Sequence, residues 1–295
     1  MYVITAATGN IGKVVTKNLL AQGKKVRVVG RNAEKLQEFV SQGAEAAVGD
    51  VNDAAFVLKA FENAKAVFCL LPPNPHSNNF RSEQKKISTN YANAAKANNV
   101  KYAVLLSSIG AHLRHGAGIV DGLGDMEESF LALRDVNVLN LRPTYFMENI
   151  LGQVGIIRQM GIAGSPVKGD LAIPMVAIKD IVAVASKRLS DLNFTGNTVE
   201  YILGPRDLSY NEIAKIIGNA IGKPDLKYVQ FPYADAIRGM VESGFCSENV
   251  ATSMTDMAEG LNNGLMGSEV KRTPENTTPT SIEDFAKTFA YVYNS

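Results

Sequence analysis

The sequence predicts an α/β fold built on a doubly wound parallel sheet, with a smaller and mostly helical C-terminal lobe. Three observations lead there. Short apolar runs alternate with longer helical patterns through the first half, a glycine-bearing turn follows the first of those runs, and the alternation lapses beyond about residue 150. Alternating βα units place their strands side by side and parallel.

The first strand is expected over Tyr2–Thr5 and the first helix over Ile11–Gln22, followed by a strand at Lys25–Val29 and a helix at Ala33–Gln42. Then come Glu45–Val48, a helix near Asp53–Phe61, the run Ala66–Leu71, a long helix near Ser82–Asn98 and the run Lys101–Leu106. Runs so uniformly apolar suit strands covered on both faces. A Gly- and His-containing loop, Gly110 to Gly124, precedes a helix near Asp125–Arg134 and a last apolar strand at Val136–Leu141. A loop of that length in a compact domain suggests function or mobility.

Residues 1–150 are expected to form the nucleotide domain, with the sheet open to later strands, and residues 151–295 a substrate-binding lobe. In that lobe helices are suggested at Met147–Gln159, Lys179–Leu189, Ser209–Ile221, Asp235–Glu242 and Ile282–Tyr291. Ser209 with Glu212, and Thr280 with Glu283, have capping-box spacing.

Thirty Lys+Arg against twenty-nine Asp+Glu give a net charge of +1, without the basic excess that nucleic-acid binding demands. Two cysteines, Cys69 and Cys246, compose neither a disulfide framework nor a zinc site. His76, His112 and His115 are too few and scattered for a metal centre, so none is expected. Met1 leads directly into a strand, and no stretch approaches the roughly 20 apolar residues of a membrane span. A soluble cytoplasmic protein is expected; a homo-oligomer or a regulatory protein partner stays open.

The chemistry starts at Val3–Gly12, where Thr8, Gly9, Asn10, Ile11 and Gly12 join the first strand to the first helix. A diphosphate there would meet unpaired N–H groups at a helix N-terminus. A bare Gly-x-x-Gly is weak evidence, but its place after a chain-initial strand raises it to a dinucleotide site, and the fold to a Rossmann-like one. After the second strand, where an NAD-binding protein carries an acidic residue, stands Gly30-Arg31-Asn32. A guanidinium at Arg31 can fork onto a 2′-phosphate, with Lys35 as a second cation, which points to NADP(H). Asp50, ahead of Val51, either accepts from the adenine amino group or caps the next helix. Leu71 and Pro72 lie at the carboxyl end of the fourth strand, where cofactors rest.

These residues, with Ser107–Ala111, Leu141-Arg-Pro-Thr-Tyr-Phe-Met-Glu-Asn149, Val176–Ile181 and Asn276–Thr280, resemble the NmrA-like group of atypical short-chain dehydrogenases/reductases. The likeness spans nearly the whole chain. It implies NADP(H) preference and either reduction of quinone-like acceptors or redox sensing without turnover. It also implies that Ser107 and Ser108 face the nicotinamide end, lined by Phe146 and Asn149; the alternative is a serine pair satisfying sheet-end carbonyls. Where many members carry Lys or His one turn before the residue matching Glu128, this chain has Gly124.

No tyrosine has Lys four residues later, so the Tyr/Lys acid of conventional short-chain dehydrogenases is missing. Reduction of an isolated ketone is therefore disfavoured. A quinone or azo acceptor delocalises its product anion, and positioning supplies most of its rate. Ser107, Ser108 and Tyr145 are the candidate catalytic residues, with His112 or His115 either proton donors or simple surface residues. The rival readings are an NADP(H) sensor whose 110–124 loop orders on binding and changes a protein partner's affinity, and a relative with an empty cleft.

Overall fold

A computed structural model describes all of residues 1–295. The strands are β1 (Tyr2–Ile4), β2 (Val26–Gly30), β3 (Glu45–Val48), β4 (Ala66–Cys69), β5 (Tyr102–Leu106), β6 (Asn137–Pro143), β7 (Tyr145–Phe146), β8 (Ala163–Ser165), β9 (Ile173–Val176), β10 (Asn197–Ile202), β11 (Asp207–Leu208) and β12 (Tyr228–Gln230). The helices are α1 (Asn10–Ala21), α2 (Ala33–Val40), α3 (Ala54–Ala60), α4 (Phe80–Ala97), α5 (Asp121–Leu131), α6 (Gln153–Met160), α7 (Ile178–Asp191), α8 (Tyr210–Ala220), α9 (Tyr233–Glu242), α10 (Glu248–Asn262) and α11 (Ile282–Asn294).

Seven strands make one parallel sheet in the order β10-β6-β5-β4-β1-β2-β3. Alternate residues of each strand enter opposite cores, as the strand's period of two requires. Tyr2, Ile4, Phe68, Val104 and Leu106 pack with α1, α2 and α7. Val3, Val67, Cys69, Ala103 and Leu105 pack with α3, α4 and α5. The last strand, β10, comes from beyond residue 150 and pairs with β6 along Asn197–Ile202, while α7 packs on α1. The sequence around 197–202 mixes Asn, Thr and Glu with Val and Ile because β10 is an edge strand, and it was not foreseen.

The rest of the chain forms a third core around α6, α8, α11 and part of α10, with two small sheets, β11-β9-β7 and β12-β8. Ser209 and Glu212 form the expected capping box on α8. At α11 the expected Thr280–Glu283 box gives way to Ser281, which accepts from the Asp284 amide. Thr280 is diverted: its N–H and hydroxyl donate to the buried Asp180 carboxylate at 3.0 and 2.8 Å. Met147–Gly152 is a 3-10 turn rather than the start of an α-helix, and α6 begins only at Gln153.

Helix α10 escapes a hydrophobic-period reading because Thr, Ser, Asp, Glu and Gly260 interrupt its apolar face. It is nonetheless capped by Ser247 and clasps the 110–120 segment. A Cβ on Gly260 would lie 2.5 Å from the Gly116 carbonyl oxygen, and one on Gly118 only 2.2 Å from that of Ser253. The 110–124 stretch is thus no open loop. It holds two 3-10 turns, buries Ala111 and Ala117, and is already helical from Asp121.

Candidate functional site

The carboxyl ends of β1 to β6 lie along one edge of the parallel sheet, and Thr8–Gly12, Arg31, Asp50, Leu71, Ser107 and Tyr145 each follow one of them. Thr5 braces that edge: its hydroxyl donates to the Phe68 and Leu70 carbonyls and accepts from the Leu70 amide at 2.9 Å.

Between β1 and α1 the chain turns sharply at Ala6, whose φ of +48° puts it where the usual pattern has its first glycine. Gly9 then caps α1 without a side-chain bond, its N–H returning to the Ala6 carbonyl. The amides of Thr8, Asn10, Ile11 and Gly12 donate to no protein group. Such orphan donors at a helix start are suited to an anion. Gly12 is dictated by packing, since a Cβ there would lie 2.4 Å from the Ala6 carbonyl oxygen. Thr8, Gly9 and Asn10 are exposed, while the Ile11 side chain is buried in the core and offers only its amide.

Arg31 and Lys35 are both exposed at the start of α2. Asn32 caps that helix by accepting from the Lys35 amide at 3.0 Å. Asp50 stands close enough for Arg31 to act on its charge; the Asn52 amide first, then the Asn52 side chain, Arg31 and Lys86, hold its carboxyl below the usual range. Asp50 does not cap α3: Asp53 does, accepting from the Ala55 and Phe56 amides. Val51 is buried and its carbonyl accepts from Asn90, Leu71 is buried, and Pro72 is half-buried beside it.

At the other end of the edge the polar groups are paired with one another. Ser107 follows β5, is 2% exposed, and donates its hydroxyl to Glu127 at 2.5 Å. Glu127, on α5, also receives Arg142 of β6 in a two-pronged pair at 2.9 and 2.5 Å, and Arg142 donates to the Tyr201 hydroxyl at 3.0 Å. Burial opposes the Arg142 charge, but the Glu127 hydrogen bonds and charge outweigh it and raise its pKa. Ser108 is half-buried, and its hydroxyl bonds to no protein group.

Tyr145 and Phe146 are half-buried and Asn149 is exposed. The Tyr145 hydroxyl accepts from Tyr210 at 3.0 Å. Burial raises its pKa, offset in part by Tyr210 and Asn149, so it stays protonated at neutral pH. Glu148 turns away and accepts the Ile178 amide, capping α7. The motif Arg142–Asn149 is therefore largely an anchor, as are Asp180 and Thr280.

The two loop histidines are engaged elsewhere. His112 lies 3.3 Å from Glu269, and His115 contacts Arg81, which grips Asp125, Asp121 and the Arg114 carbonyl. No group of His, Cys, Asp and Glu is arranged to hold a metal ion, both cysteines are free and buried, and no helix is long and apolar enough to cross a membrane. Gly124 sits inside α5, where a Cβ would lie 2.4 Å from the Ala111 carbonyl oxygen. The position that would carry a Lys or His is sterically closed.

Residues 6–137 match the family model described as NAD(P)H-binding. They form an NAD(P)H-binding domain. The chain is 27% identical to the NAD(P)H azoreductase of Xenophilus azovorans over 87% of its own length and 86% of that protein. It is 24% identical to the uncharacterized oxidoreductase YesF of Bacillus subtilis, over 99% of this chain and 96% of that one. Among solved structures, the NADPH-dependent quinone oxidoreductase of Escherichia coli complexed with NADPH superposes with a TM-score of 0.82 at 22% identity, covering 98% and 99% of the two chains. The NADP(H) complex of the Citrobacter sp. triphenylmethane reductase gives 0.80 at 17%, over 98% and 100%. These neighbours share the fold, in keeping with the NmrA-like resemblance drawn from the motifs.

The structure thus gathers the sequence-derived residues along one edge, exposing Thr8–Asn10, Arg31, Lys35, Asp50 and Asn149 and burying Ser107. Sequence reasoning missed Glu127 as the partner of Ser107. Its signal was faint: a second acid beside Glu128, with an arginine in the next strand.

Proposed function

We propose that this NAD(P)H-binding oxidoreductase passes a hydride from NADPH to a quinone-like or azo acceptor. Bound NADPH would supply the hydride. The protein's own part is to bind and orient: free amides from Thr8 to Gly12 receive the diphosphate, Arg31 with Lys35 receives the 2′-phosphate, and Asp50 accepts from the adenine amino group. Leu71, Pro72, Phe146 and Asn149 border the nicotinamide end, where Ser108 and Tyr145 orient the acceptor.

The observation that carries the choice of acceptor is the closure of position 124 by the Ala111 carbonyl, together with a Tyr145 whose burial makes it a weak acid. A site so poor in proton donors suits acceptors whose product anion is already stabilised, because positioning then does most of the catalysis. The azoreductase relative supports the same reading. Two buried free thiols fit a reducing cytoplasm.

The sensor reading has no such relative behind it, whereas the azoreductase and the quinone oxidoreductase are both named for reduction. The deciding experiment is an NADPH-oxidation screen over quinones, azo dyes and enones, run beside NADH. Turnover of quinones or azo dyes with a preference for NADPH is expected; no NADPH consumption with any of them would overturn the proposal.

A further inference from the structure

Three tyrosines from the C-terminal half, Tyr145, Tyr210 and Tyr228, form an ordered cluster beside the carboxyl end of β6. Tyr210, the first residue of α8, is 3% exposed, and the Ser209–Glu212 capping box fixes its backbone. Its ring stacks on Tyr228, with centroids 4.9 Å apart and planes 20° from parallel, and meets Tyr145 edge-on at 6.4 Å. Tyr228 is itself held by its hydroxyl, which donates to the Val167 carbonyl at 2.6 Å and lies 2.6 Å from the Ser165 hydroxyl. Two rings and a helix cap thus fix where the Tyr210 hydroxyl can point.

It points at Tyr145, donating to the phenol oxygen at 3.0 Å. That direction settles the role of the second phenol. Tyr145 accepts from behind, and Asn149, the other polar group acting on that oxygen, favours the phenolate as a donor does. The Tyr145 proton therefore has no partner in the protein and is free for a ligand at the edge of the sheet. A hydroxyl that accepts a hydrogen bond is polarised into a better donor, the more so out of bulk water.

We propose that Tyr210 is a positioning residue, whose buried hydroxyl fixes Tyr145 as a hydrogen-bond donor toward the acceptor atom that gains charge when the hydride arrives. The inference rests on the acceptor-reduction reading above. NADPH gives up two electrons with the hydride, and a quinone that receives them carries a phenolate-like oxygen. Tyr145 donates to that oxygen and keeps its own proton. Water protonates the oxygen and leaves as hydroxide, so neither tyrosine needs regeneration. Tyr210, shut behind Tyr145, acts only through it.

A double-mutant cycle with benzoquinone and saturating NADPH tests this. Tyr210→Phe keeps the stacked ring and removes only the hydroxyl, so kcat should fall about tenfold while KM for NADPH stays within about twofold. Tyr145→Phe should lower kcat about a hundredfold, the scale for a lost oxyanion donor. In the Tyr145→Phe background, Tyr210→Phe should cost nothing further, because the phenol it acts on is already gone. A second readout needs no turnover. In protein labelled with carbon-13 at the tyrosine ζ carbon, Tyr210→Phe should move the Tyr145 resonance more than that of Tyr228, although the Tyr228 ring lies nearer.

An unchanged kcat in Tyr210→Phe, an equal loss in both backgrounds, or a Tyr145 resonance that moves no more than that of Tyr228 would each overturn the proposal. Should the unmodified protein reduce no acceptor, the proposed function fails, while the resonances still report whether the Tyr210 hydroxyl governs Tyr145.

Discussion

The two ends of the carboxyl edge of the sheet are built on opposite terms. Around β1 and β2 the polar groups are left open: four amides from Thr8 to Gly12 without acceptors, and an exposed Arg31 that feels Asp50 only at a distance. Around β5 and β6 they are closed on one another, with buried Ser107, Glu127 and Arg142 linked on to half-buried Tyr201, and Tyr145 tied to Tyr210. An open set of donors needs a ligand to complete it, whereas a closed set is complete without one. The first end therefore offers free donors, and the second braces itself from within.

Breaking the closed end should cost the most. Arg142→Met strips the partner from a buried carboxylate, and a loss of about 3–5 kcal/mol in unfolding free energy is expected by denaturant titration. The paired replacement Arg142→Met with Glu127→Leu should recover much of it, because no charge is then left unpaired; if it recovers nothing, packing rather than charge holds this end.

Gly12→Ala should follow, at about 2–4 kcal/mol, since its Cβ would meet a backbone carbonyl that cannot swing aside. A Gly12→Ala protein as stable as its parent would show that the turn relaxes freely. At the open end the expected change is in binding and not in folding. Arg31→Ala should weaken NADPH by about 10- to 100-fold, leave NADH almost untouched, and hardly move the melting temperature.

The smallest effect concerns the brace behind the closed end. Arg81 grips Asp125 first by hydrogen bonds, and these hold the carboxyl below its ordinary range despite burial. An acid with a lowered folded pKa stabilises the protein above its unfolded pKa of about 4, and that stabilisation fades as pH falls through the folded value. Asp125→Asn should thus cost about 1 kcal/mol at neutral pH, with the gap to the parent protein narrowing below about pH 4. A gap that is constant with pH would mean that the carboxylate's charge is not what matters.

The same contrast explains what the sequence disclosed. The sheet through β6 and the glycine turn were legible because period and turn chemistry are local signals. β10 was hidden by its edge position, and α10 by its polar residues and Gly260. Glu127, Arg81 and the Asp180–Thr280 clamp are long-range pairings that no spacing announces. Arg142 and Glu148 stood inside a recognisable string, yet only their partners, Glu127 and the Ile178 amide, show that they anchor the site and leave the chemistry to others.

The central claim is that the open end takes a dinucleotide bearing a 2′-phosphate. Calorimetric titration of the unmodified protein with NADPH and NADH tests it most directly. NADPH binding at least about tenfold tighter than NADH is the expected result, matching one charge-assisted contact to the extra phosphate. NADH binding as tightly as NADPH, or neither binding at all, would contradict it.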